Sequence, residues 1–129
     1  MKIEVAKQFS IEIARLNPDK IFVFGDDLVH QGTGGSACIR HEPNAFGIPI
    51  RRYPHLRNDA FFADRPDEDS MMTEALRALF LLGKHHVLVF PEDGICPASA
   101  KMKQKSPRLY AKLIHILSSH FGVEVQPHQ

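Results

Sequence analysis

Two short runs, Ile21-Phe22-Val23-Phe24 and Val87-Leu88-Val89-Phe90, constrain this chain more than any other feature. Each is an unbroken series of β-branched, aliphatic and aromatic residues, too short for a helix and without the alternation of a half-exposed strand. Such runs are expected of strands covered on both faces, as in a parallel sheet. Each run also ends in a polar loop containing Gly and Asp: Gly25-Asp26-Asp27 after the first, Pro91-Glu92-Asp93-Gly94 after the second. Parallel strands deliver their following loops to one edge of the sheet, where open α/β folds bind ligands.

The intervening segments supply the helices that a parallel sheet requires. Ser10 is placed to cap a helical piece over 11–16, closed by the turn Asn17-Pro18-Asp19. Residues 36–41 predict a short helix that Pro43 stops. Asp67, Glu68 and Asp69 open a longer helix with Met72, Leu76, Leu79 and Phe80 on its apolar face and Gly83 at its end. The last helix has Ser106 as cap, Pro107 in its first turn, Leu109, Leu113, Ile116 and Leu117 on one face, and Gly122 as terminator. Residues 3–5 predict a first strand and 123–125 a final edge strand. Phe46-Gly47-Ile48-Pro49-Ile50 is extended, with Pro49 confining it to an edge or an irregular path. The expected architecture is a single three-layer α/β domain over 1–129, its mostly parallel sheet flanked by helices.

Composition narrows the function classes. The 129 residues carry 16 Lys and Arg against 15 Asp and Glu, and no basic stripe of the kind that grips a duplex. Nucleic acid is therefore an unfavoured partner. The densest basic run, Lys101, Lys103, Lys105 and Arg108, precedes a helix and reads as a solvated face or an anion clamp. No apolar stretch reaches membrane-spanning length, and the opening Met1-Lys2-Ile3-Glu4 lacks a signal-peptide core. With Cys38 and Cys96 far apart, these features point to a reducing, cytoplasmic setting with free thiols. The eight histidines do not form paired ligand spacings; Cys38 and His41 stand alone, so no metal and no cofactor is expected.

The loop Gly25-Asp26-Asp27-Leu28-Val29-His30-Gln31-Gly32-Thr33-Gly34-Gly35-Ser36 is the main candidate for chemistry. Gly32, Gly34 and Gly35 allow close backbone approach, and N–H groups so presented suit a phosphate. Ser36 opens a helix, whose positive end also favours an anion. The loop is neither a Walker sequence nor a dinucleotide fingerprint. Asp26 and Asp27 are the candidate catalytic carboxylates, placed to hold a ribose hydroxyl or to orient a water, with Asp26 ahead because it lies closest to the sheet. Their competing role is to cap the loop through their side chains. Asp93 and Gly94 offer a second turn facing the first, and Ser99, Lys101 and Lys103 follow it. The polar excursion over 51–66 carries Phe61-Phe62, which either close the site or serve as an aromatic anchor for a protein partner.

The segments Phe24-Gly25-Asp26-Asp27-Leu28, Gly32-Thr33-Gly34-Gly35-Ser36-Ala37 and Glu42-Pro43-Asn44-Ala45-Phe46-Gly47-Ile48-Pro49 resemble a small uncharacterised family of bacteria and their phages. Phe61-Phe62-Ala63-Asp64, Pro91-Glu92-Asp93-Gly94-Ile95 and Ser106-Pro107-Arg108-Leu109-Tyr110 extend the likeness. That family in turn resembles macrodomain-like proteins, which hold ADP-ribose or related nucleotides between two glycine loops. The resemblance implies a ligand-binding set of Gly25, Gly32, Thr33, Gly34, Gly35, Ser36, Asn44, Asp93 and Gly94, with residues 93–99 as the opposing loop. Two positions depart from its pattern: Asp27 stands where Asn is usual, and Cys96-Pro97 replace small residues, Pro97 removing an N–H. The function expected is binding of a phosphate-bearing small molecule, ADP-ribose or a related nucleotide, with hydrolysis by water on Asp26 or Asp27 as its extension. The alternative is a phage- or defence-related protein-interaction module with a degenerate pocket and a host or phage protein as partner.

Overall fold

A computed structural model describes residues 1–97 and 100–124. Four strands, β1 (Ile3–Ala6), β2 (Lys20–Asp27), β3 (Ala45–Arg51) and β4 (Val87–Pro91), form one sheet in the order β1-β4-β2-β3, and all three pairings are parallel. The two apolar runs are thus the adjacent central strands, β2 and β4. Successive side chains of a strand alternate between faces, and both faces are covered. Val23, Leu88 and Phe90 join Met72, Leu76 and Leu79 of α2 (Pro66–Leu82) and Leu109, Leu113 and Leu117 of α4 (Pro107–Phe121). Phe22, Phe24 and Val89 face the other way, onto Ala14 of α1 (Ile11–Leu16) and onto Ala37 and Ile39 of a 3-10 turn (Gly35–Ile39). The result is the expected three-layer α/β arrangement.

Several boundaries depart from the sequence reading. β2 does not stop at Gly25 but runs on to Asp27, pairing Gly25 with Ile48 and Asp26 with Pro49 before the register slips at Asp26/Asp27. Its backbone ladder to β3 continues although the side chains have become polar. β3 is an edge strand, where Pro49 lacks a ladder donor at little cost. The expected helix over 36–41 is a single 3-10 turn, which carries little of a helix macrodipole. A short helix, α3 (Met102–Lys105), precedes α4 and has no periodic signal of its own. Of the expected strand over 123–125, Val123 and Glu124 are not in a strand, and Val125 lies outside the described residues.

The caps show how distant segments are tied together. Ser10 caps α1 through a bond from the Ile13 amide, as expected. Ser106 does not cap α4: its hydroxyl donates to the Met102 carbonyl at 3.1 Å. The exposed amides of Arg108 and Leu109 instead donate to the two carboxylate oxygens of Asp64, at 3.1 and 2.8 Å. Glu68, fully buried in the first turn of α2, accepts from the amides of Ala63 and Arg65 and pairs with Arg52 at 2.7 Å. The excursion over 51–66 is therefore pinned to the body by two acids. Phe61 and Phe62 are 5 % and 1 % exposed, so this pair faces the core and offers no anchor to a protein partner. Gly122 terminates α4 in the left-handed conformation, φ 67°, with the Val123 amide returning to the Leu117 carbonyl.

Candidate functional site

A cavity of about 290 Å3 lies at the C-terminal ends of β2 and β4. Its walls come from the β2 end and following loop (Gly25, Asp26, Asp27, Gly32, Gly34, Gly35, Ser36), from Arg40 and Arg51, and from Asp93, Gly94, Ile95 and Pro97 of the second loop. The two loops that follow the apolar runs are thereby brought to one place.

The loop is organised by its acids. Asp27 is 2 % exposed, and its Oδ1 accepts from the amides of Val29 and Gln31, its Oδ2 from that of Gly32 at 2.9 Å. A carboxylate so placed closes the turn that a backbone carbonyl would otherwise have to close. Asp26, equally buried, accepts on Oδ1 from the Asp27 amide and the Arg40 guanidinium, and on Oδ2 meets His30 Nδ1 at 2.7 Å. Arg40 also donates from Nε to the Gly32 carbonyl at 2.8 Å, stands 3.6 Å from Asp27 Oδ2, and lies over the Phe24 ring. One guanidinium thus compensates two buried acids, as burial of charge demands. Both aspartates line the cavity, but their acceptor positions are largely occupied by the loop itself. The expected role as water-orienting catalysts gives way to a structural one.

The glycines divide into two kinds. A Cβ on Gly25 would stand 1.9 Å from the Ile95 carbonyl oxygen, so Gly25 is required for the second loop to lie against β2. A Cβ on Gly32 would stand 3.0 Å from Asp27 Oδ2, and the Gly32 amide is already spent on that carboxylate, which removes it from the phosphate-binding set. At Gly34 and Gly35 an added Cβ would meet nothing within 4 Å, although both line the cavity. Among the described residues no acceptor takes the amide hydrogens of Gly34, Gly35 or Ser36. The open backbone is here, and no packing demand explains it.

Of the remaining expected contacts, Asp93 and Gly94 line the cavity from the far side, Gly94 at φ 88°. Thr33 is exposed and does not form its wall. Asn44 is not part of the site. Its buried side-chain amide donates to the carbonyls of Ala14, Asn17 and Lys20, joining the end of α1 to the starts of β2 and β3. Ser99, and with it the end of the expected opposing loop over 93–99, lies outside the described residues. Two cavity residues were not singled out from sequence, Arg40 and Arg51. Arg51 forms no ion pair among the described residues. An arginine ending an edge strand beside a glycine loop is the signal that could have marked it.

Other features carry less chemistry. A hollow of about 320 Å3 between β1 and α4 is walled chiefly by hydrocarbon, including Ile3, Val5, Phe90 and Leu113, and offers few convergent polar groups. Cys96 is buried against Met102, and burial pushes its thiol up to about 12; Cys38 is half-buried with its thiol on the Phe9 carbonyl. Among the described residues there is no group of three or more His, Cys, Asp or Glu able to hold a metal ion, and no helix long and apolar enough to cross a membrane.

Fold and site together define a parallel α/β protein with a two-loop polar cleft at the carboxyl edge of its central strands. Comparison with protein families matches residues 4–116 to the family described as "Family of unknown function (DUF7831)", and the chain belongs to that family. No curated protein and no solved structure matches it significantly.

Proposed function

We propose that this protein binds a compact phosphate-bearing small molecule in the cavity between the β2 and β4 loops. The observation that carries this reading is the pairing of unspent groups across one hollow. The unbonded amides of Gly34, Gly35 and Ser36 and the Arg51 side chain, which pairs with no acid among the described residues, all belong to its wall. Backbone amides and a guanidinium are the groups that hold phosphate oxygens elsewhere. The charges of Asp26 and Asp27 do not defeat the attraction, because Arg40 and five loop hydrogen bonds already engage them.

Size refines the ligand. At about 290 Å3 the cavity stands at the lower end of the roughly 300–1,000 Å3 usual for small-molecule sites. A sugar phosphate or a mononucleotide fits this better than the whole of ADP-ribose, which would extend beyond the cavity in the manner of an open, macrodomain-like cleft. Thermal unfolding with ribose 5-phosphate, 5′-AMP and ADP-ribose tests the reading. A ligand held only by the folded protein at 100 times its Kd adds about 2.7 kcal/mol of stability, a rise of several degrees in Tm. Absence of a shift with all three, at millimolar concentration, refutes it.

A further inference from the structure

We propose that His30 is the proton-transferring group of this site, a general base for attack of water on the phosphate ester held in the neighbouring cavity, with Asp26 as its positioning residue. The proposal rests on the binding reading above and replaces the aspartates as the reactive groups. Three observations carry it. His30 Nδ1 lies 2.7 Å from Asp26 Oδ2, whereas the His30 side chain is 62 % exposed and that of Asp26 only 5 %. Asp26 also pairs with Arg40 and takes the Asp27 amide, so it acts purely as an acceptor and Nδ1 must donate to it. The lone pair of the neutral ring is then fixed on Nε2, the nitrogen directed away from the acid, the tautomer that a base requires. Finally, His30 holds φ 57°, a left-handed conformation uncommon for a residue other than Gly. Sparsely populated backbone of this kind recurs where a side chain must be aimed.

His30 opens onto a shallow cleft whose wall includes Phe24, Gly47 and His41, and Asp26 and Arg40 belong to both this cleft and the cavity. The imidazole therefore stands beside the shared wall, with Arg40 and His41 as the charged and titratable groups nearest it. In the reaction, Nε2 takes a proton from water as the water oxygen bonds to phosphorus. The phosphorus–oxygen bond to the sugar breaks, its electron pair stays on the sugar oxygen, and that oxygen is protonated by the imidazolium or by solvent. The products are the alcohol and inorganic phosphate, and no cofactor is consumed.

The test uses the full chain with two readouts. Nitrogen-15 NMR of the histidines reports the tautomer: His30 is expected as Nδ1–H with a bare Nε2, and Asp26→Asn is expected to mix the tautomers. Phosphate release from 5′-AMP and ribose 5-phosphate is then measured for the native protein, His30→Asn and Gly34→Val. Asn tolerates the left-handed backbone, so His30→Asn keeps the fold. It should lower kcat about 100-fold or more while leaving KM and the ligand-induced rise in Tm unchanged, whereas Gly34→Val should raise KM. An Nε2–H tautomer in the native protein overturns the proposal, as does full kcat in His30→Asn. Probes that raise Tm but are never cleaved refute hydrolysis alone. Probes that fail to raise Tm refute the binding reading, and hydrolysis falls with it.

Discussion

Gly25 and Gly34 stand in the same loop region and look alike in the sequence, yet the same substitution should have opposite consequences. Alanine at Gly25 would place its Cβ 1.9 Å from the Ile95 carbonyl oxygen and 2.8 Å from the Ile50 methyl. The first contact is with backbone, so no rotamer change relieves it; β2 or the second loop must move. Overpacking of this kind costs about 1–3 kcal/mol even where side chains can yield, and the upper figure or more is expected here. Valine at Gly34 meets nothing within 4 Å, and the backbone there, φ −78° and ψ 151°, is extended and suits a β-branched residue. Its effect on stability should stay within about 0.5 kcal/mol, or improve slightly through loss of unfolded-state freedom. Urea denaturation of the two variants gives both numbers directly. Binding should show the reverse order, since the valine side chain at Gly34 fills the approach to the open amides. If Gly25→Ala unfolds with the native midpoint and slope, the close approach of the second loop to β2 is wrong. If Gly34→Val loses more than about 1 kcal/mol, a figure already outside the ordinary surface range, then Gly34 is a packing residue and the ligand argument loses its backbone.

Replacing Glu68 by Gln leaves Arg52 and the amides of Ala63 and Arg65 facing a neutral group in a fully buried site, so a loss of about 3–5 kcal/mol is expected in urea titration; less than about 1 kcal/mol, the scale of an exposed ion pair, would show that the excursion is held by other contacts. Burial alone raises the Cys96 thiol from an ordinary 9.0 to about 12, so at pH 8 a thiol reagent should modify Cys38 first and Cys96 only on unfolding. Because the folded-state value is the higher one, the associated stability is complete below pH 9.0 and is lost as pH rises towards 12, which alkaline thermal melts of the native protein and Cys96→Ala should separate. The bond from Lys112 first, and that from Thr73 second, holds the Asp69 carboxyl below its ordinary range, so this pair stabilises above that range and its contribution disappears as acid protonates Asp69. Lys112→Met should therefore cost at most about 1 kcal/mol at neutral pH and nothing in strong acid; a difference that persists in acid would assign the effect to packing.

The parts of the fold that were legible are those in which burial and local chemistry agree. The runs ending at Phe24 and Phe90 announce central strands because each residue must satisfy an apolar neighbour on one face or the other, and Pro49 correctly places β3 at an edge. The last residues of β2 were hidden because Asp26 and Asp27 are poor strand formers judged by type alone. They are retained there by Arg40, whose part cannot be inferred until the 3-10 turn brings it back over the sheet. The α4 cap was misassigned for a related reason. Ser106 has the residue type and the local position, but Asp64, placed by the inward turn of Phe61 and Phe62, reaches the same amides with a full negative charge. Asn44 was misread because a motif shows that a residue matters without showing to whom; its three carbonyl partners are a joint of the scaffold. At the site, the convergence of the two loops followed from the parallel sheet, whereas the division between bonded and unbonded amides required the structure.

That division explains how a loop rich in acid can serve a site suited to an anion. A glycine loop left to itself loses much conformational entropy on ordering. Here Asp27 fixes residues 29–32 by three backbone bonds, and Arg40 ties the carbonyl at Gly32 to both aspartates, so the first half of the loop is ordered before any ligand arrives. Only Gly34, Gly35 and Ser36 retain free donors, and they follow directly from the ordered half. Ordering that is complete in the free protein is not charged against binding. The acids are therefore the means by which the open amides are held in place, and the same pairing leaves His30 directed outward from Asp26 rather than into the loop.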